Sequence, residues 1–61
     1  MIELTRLNGT TIVINSDLIE TVEETPDTVV TLTIGTKYVV QESSRDIVDK
    51  VVEFRRRIMR P

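Results

Sequence analysis

The 61-residue chain has no cysteine, no histidine and no tryptophan. Without cysteine there is no disulfide, and without cysteine or histidine the usual zinc ligand sets cannot be assembled. Two of the common supports of a very small domain are therefore missing. A chain this short buries only about 60% of its unfolded surface, and Tyr38 and Phe54 are its only aromatic anchors. Association with itself or with a partner is the support that remains, so a homo-oligomer is expected. No apolar run approaches the ~18 residues of a membrane span, and Met1 opens directly into a strand-like pattern with no signal peptide. The expectation is a cytoplasmic, at most membrane-peripheral, protein forming one domain over residues 1–61.

Catalytic chemistry is equally poorly provided for. There is no glycine-rich phosphate loop, and Ser43 and Ser44 have only Arg45 beside them, which cannot act as a base. Glu23 and Glu24 are adjacent on a strand, so they point to opposite faces and cannot share a pocket unless the strand bulges. No enzyme, no cofactor and no metal site is expected.

What the chain has is β-pattern followed by one amphipathic helix. Ile2 and Leu4 alternate with Glu3 and Thr5 in a first strand over residues 2–7. Asn8-Gly9 predicts a type I′ hairpin turn, with positive φ at both positions. The return strand, 10–15, is β-branched throughout its middle. Asn15-Ser16-Asp17 turns the chain, and 18–24 reads as a third strand, although Leu18 to Glu24 could also pass for a helical turn. Thr25-Pro26-Asp27 is the next reversal. Strands over 28–34 and 36–41 follow, separated by Gly35. Connections this short predict consecutive antiparallel pairing: a five-stranded meander, twisted or barrel-like, with one C-terminal α-helix, in the α+β (mainly β) class.

That helix is expected over about 44–59, with Ser43 as N-cap and Asp46 completing a capping box. At 100° per residue, Ile47, Val51, Phe54 and Ile58 form one stripe, and Val48, Val52 and Met59 form a second beside it, with Arg55 between. The apolar arc spans roughly 160°, against the ~100° needed to cover one core. Either a twisted sheet curls round and buries both stripes, or Val48, Val52 and Met59 meet another chain.

Charge is distributed unevenly. Residues 1–43 hold two basic and seven acidic side chains, whereas 44–61 hold six basic and three acidic. Arg55, Arg56, Arg57 and Arg60 crowd the helix C-terminus, where cations complement the dipole, and they also form a tip suited to an acidic protein segment or an anionic lipid surface. Arg55, inside the apolar arc, is expected to snorkel or to pair with a buried carboxylate of another subunit. The acidic body and the lack of stacking aromatics argue against nucleic acid. The candidate interface is thus Val48, Val52, Met59, Arg55, Arg56, Arg57 and Arg60.

Taken together, Ile2-Glu3-Leu4-Thr5-Arg6-Leu7-Asn8-Gly9, Ile14-Asn15, Ile19-Glu20, Thr25-Pro26-Asp27-Thr28 and Gly35-Thr36-Lys37-Tyr38-Val39-Val40-Gln41-Glu42-Ser43 resemble the small flagellar and swarming-motility proteins of the FlbD or SwrD type. The resemblance runs across essentially the whole chain, the basic helix end lying outside its best-matching part. It implies a cytoplasmic accessory to bacterial motility that supports the power of the motor's stator units, with partners at the cytoplasmic membrane face. It carries over no catalytic residue. The rival expectation, from the alternating Ile/Val pattern around Gly35, Lys37 and Tyr38, is a small regulatory nucleic-acid-binding β domain of the LytTR kind.

Overall fold

A computed structural model describes residues 1–59. Five strands are followed by one helix: β1 Ile2–Thr5, β2 Thr11–Ile14, β3 Ile19–Glu24, β4 Thr28–Leu32, β5 Lys37–Val40 and α1 Ser44–Ile58. A 3-10 turn, Ser16–Leu18, separates β2 from β3.

The expected pairings of β1 with β2, β3 with β4 and β4 with β5 are all present and antiparallel. The expected single meander is not. The strands form a two-stranded sheet, β1-β2, and a three-stranded sheet, β3-β4-β5, with no closed barrel. The physical reason lies at Asn15. Its side-chain oxygen accepts from the Asp17 amide at 3.0 Å and its carbonyl accepts from the Leu18 amide at 3.0 Å. This local bonding replaces ladder bonding with a compact turn. The turn buries Ser16 and carries the chain away, so β3 starts beside β4 rather than beside β2.

The two sheets instead meet across a seam between the end of β1 and the end of β5. Arg6 and Val40 form an antiparallel bridge, and the Gln41 amide donates to the Thr5 carbonyl at 2.8 Å. The Gln41 side chain donates to the Arg6 carbonyl at 3.1 Å. Glu42 accepts from the Thr5 amide and hydroxyl. Through this seam the strands run in the spatial order β2-β1-β5-β4-β3.

The two glycine turns share one geometry. Arg6 N–H donates to the Thr10 carbonyl and Gly9 N–H to the Arg6 carbonyl. Leu32 N–H donates likewise to the Thr36 carbonyl and Gly35 N–H to the Leu32 carbonyl. Gly9 and Gly35 both have φ of 91°, and among the described residues no other residue type has positive φ. These are three-residue loops ending in a left-handed glycine, not the type I′ turn expected at Asn8-Gly9. Asn8 contributes by its side chain, accepting from the Thr10 amide and hydroxyl. The third reversal contains a cis Thr25–Pro26 bond.

The core follows the period-2 pattern of the strands. Ile2, Leu4, Ile14, Val30, Leu32, Val40 and Ile47 are buried, with Ile12, Ile19, Val22, Tyr38, Val51 and Phe54 packed around them. Every strand and the helix contribute to this cluster, so it is one core despite the division into two sheets.

Candidate functional site: the outer face of the helix

The helix begins where the sequence places it. Ser43 Oγ accepts from the Asp46 amide at 3.1 Å and the Ser43 amide donates to Asp46 Oδ2 at 3.3 Å, completing the capping box. A second anchor was not legible in the sequence: the Ser44 amide donates to Glu24 Oε1 at 2.7 Å. The carboxylate at the end of β3 thus satisfies an unpaired amide of the first turn. The Ser44 backbone bond, reinforced by the Ser44 side chain, holds the Glu24 carboxyl below its ordinary pKa. At the other end Arg55 Nη2 donates to Asp17 Oδ1 at 3.1 Å, in the turn that precedes β3. The helix is therefore clasped to both ends of β3 and runs back along it. The sequence held both carboxylates but no local signal that a helix would come to lie there.

This placement decides between the two helical stripes. Ile47 is buried, and Val51 and Phe54 are half-buried against the sheets. Val48 and Val52 are 51% and 44% exposed, and Met59 is 79% exposed. The strands do not curl round to cover the second stripe. Ile58 departs from its own stripe at 60% exposed, because the last helical turn overhangs the sheets beyond Phe54.

The exposed strip borders a groove of about 270 Å³ between α1 and β3, floored by Ile19, Val22 and Ile47 and walled by Val48, Val51 and Val52. Of the predicted cations, Arg56 and Arg57 lie exposed in the last turn beside Ile58 and Met59. Arg55 has a partner in its own chain, the exposed Asp17. Arg60 lies outside the described residues. Val48 and Val52 thus lie on the groove side of α1 and Met59 at its C-cap, whereas Arg57 lines the groove on the opposite side of the helix. The structure adds Ile19 and Val22, which line the groove with Val48 and Val52. Ile19 and Val22 could be found only by knowing that the helix lies along β3.

Chemically, such a helix offers methyl and thioether surface for apolar burial and guanidinium groups as forked donors to carboxylate or phosphate. On the other side of the helix a second groove of about 340 Å³ runs between α1 and the start of β1, lined by Ile2 and Phe54 and rimmed by charges of both signs.

Fold and surface together define a small two-sheet domain closed by a C-terminal helix that keeps one apolar strip in solvent. The chain belongs to the FlbD family of flagellar and swarming motility proteins, whose family profile matches residues 1–59. Membership implies a role in flagellar or swarming motility. No curated protein and no solved structure matches the chain. Among the described residues, no helix is long and apolar enough to cross a membrane.

Proposed function

We propose that this protein is a non-enzymatic accessory of bacterial flagellar and swarming motility, acting at the cytoplasmic face of the membrane. It supports the power delivered by the motor's stator units through protein–protein contacts. The observation that carries the reading is the exposure of Val48, Val52 and Met59 on one helix whose last turn also exposes Arg56 and Arg57. A partner offering an apolar ridge flanked by carboxylates would cover both parts at once.

Magnitudes favour a self-associated form. Val48 and Val52 are already about half covered, so completing their burial, with that of Met59, yields roughly 1 kcal/mol each. About 3 kcal/mol of apolar burial is below the ~4.1 kcal/mol of a millimolar complex. Charge pairs at the rim add about 0.2–1 kcal/mol each. Two copies held together present the strip twice and raise the apparent affinity without new contacts.

Reversing Arg56, Arg57 and Arg60 to glutamate tests the reading. Swarming is expected to fall while far-UV circular dichroism and thermal unfolding stay near wild type. Normal swarming by the folded triple variant sinks the proposal.

A further inference from the structure

The spatial order β2-β1-β5-β4-β3 leaves two strands with a bare long edge, and the chain treats them differently. Along β3 stand Glu20, Glu23 and Glu24, and its register shifts between Ile19 and Thr21. Charge and irregularity of this kind protect an edge from pairing. Along β2, Thr11–Ile14, there is no charge, no proline, no glycine and no register shift.

The direction of the β2 backbone groups follows from the hairpin. Arg6 N–H donates to the Thr10 carbonyl, so the alternation of an antiparallel ladder makes Leu4 with Ile12 and Ile2 with Ile14 the bonded pairs. Thr5 with Thr11 and Glu3 with Val13 are the non-bonded pairs. The seam agrees, since Thr5 turns its amide to Glu42 and its carbonyl to Gln41, away from β2. Thr11 and Val13 therefore aim their N–H and C=O groups outward from the sheet edge. Among the described residues, no side chain bonds the backbone amide or carbonyl of either.

We propose that the occupant of this edge is a second copy of the same chain, paired antiparallel through β2 about a twofold axis at Ile12. In that register Thr11 faces the partner's Val13 and Val13 faces the partner's Thr11. Each pair exchanges two backbone hydrogen bonds, which uses all four outward groups of each copy's Thr11 and Val13. Val13, 61% exposed in the single chain, is then covered by a threonine side chain across the strand. The pairing is self-complementary and charge-free. Pairing β3 with β3 would set glutamates against glutamates, and pairing β2 with β3 would meet the register shift. The helix packs over β1 and β3, so joining copies at β2 leaves both helical strips open. This inference rests on the self-association in the proposed function and assigns its surface.

The test is the solution mass of the full chain by sedimentation or light scattering. A dimer, twice the 7.0 kDa of the chain, is expected. Val13→Pro removes an N–H that points away from β1, so it is expected to keep the circular dichroism and yield a monomer. Val13→Lys, which leaves the backbone intact, serves as the second variant and is expected to weaken the dimer by at least tenfold. Val48→Asp is expected to leave the dimer unchanged. With no native cysteine, a Thr11→Cys/Val13→Cys chain should oxidise to a covalent dimer, because those two positions face each other only in this register. A monomeric wild type overturns both this inference and the self-association it rests on. A dimer that survives both Val13 variants, or that Val48→Asp alone abolishes, overturns the β2 edge while leaving self-association standing.

Discussion

The Thr5 amide donates to both carboxylate oxygens of Glu42, at 2.9 and 3.1 Å, across 37 positions of sequence, and the Thr5 hydroxyl adds a third bond at 2.9 Å. These bonds sit at the seam where the two sheets meet, so one side chain ties β1 to the junction between β5 and the helix. Burial alone would raise the Glu42 pKa. The Thr5 amide, the residue's own amide, the Thr5 hydroxyl and Lys50 together outweigh it, and the net shift is downward. A carboxyl with a lowered folded-state pKa contributes stability above its unfolded pKa, and that contribution is lost as pH falls through the folded value. Wild type should therefore lose stability as the pH drops below about 4. Glu42→Gln should cost about 1–2 kcal/mol near neutral pH and flatten that acid limb, both read from urea unfolding at several pH values.

Ser43 and Glu24 act on the same few amides at the start of the helix. Removing the cap by Ser43→Ala should cost about 1 kcal/mol, read as a fall in Tm. Glu24→Gln leaves an acceptor in place, so its effect should be smaller at neutral pH. It should also blunt part of the acid destabilisation, because the Glu24 carboxyl is likewise held below its ordinary pKa by the Ser44 bonds. The Arg55–Asp17 pair at the far end is exposed on both sides. Its coupling energy in a double-mutant cycle should not exceed about 1 kcal/mol.

Most local structure was legible in the sequence because it rests on local chemistry. The alternation of Ile2 and Leu4, the Ser43–Asp46 capping box and the placement of a helix from Ser44 all depend on residues within a few positions of one another. The seam does not. Thr5 and Glu42 read as an ordinary strand residue and an ordinary acidic residue until β1 and β5 are brought together. The split into two sheets was hidden for a related reason. Asn15-Ser16-Asp17 signals a turn, but a turn between neighbouring strands and a turn that changes sheets look the same in sequence. The candidate site was half legible: the excess of apolar residues on the helix was visible, whereas the choice of exposed stripe depended on Glu24 and Asp17 fixing the helix along β3.

Ile47 and Val48 are consecutive and both aliphatic, yet one is 1% exposed and the other faces solvent. Ile47→Ala should cost about 2–5 kcal/mol, because it leaves a cavity where both sheets and the helix converge. In a domain of marginal stability that loss should unfold much of the population, and its effect on swarming would follow from lost protein. Val48→Asp and Val52→Asp, which lose only the covered half of each side chain, should each cost about 1 kcal/mol, well below Ile47→Ala. Any swarming defect they produce at normal protein level would then report lost contact with a partner. If the two aspartate variants unfold as readily as Ile47→Ala, the strip is structural.

Gly9 and Gly35 offer a test of the turns free of packing effects. Both have φ of 91°, and a Cβ built on either meets nothing within 4 Å. Substitution therefore changes only the backbone energy: alanine at a left-handed position costs of order 1 kcal/mol, and asparagine, which tolerates that region better, should cost less. Gly9→Ala and Gly35→Ala should lower stability by similar amounts, since the two loops share their hydrogen-bond pattern, and the double variant should be additive because the turns serve different hairpins. The Asn variants should recover part of each loss in urea titrations. Equal penalties for Ala and Asn would mean that something other than the sign of φ fixes these turns.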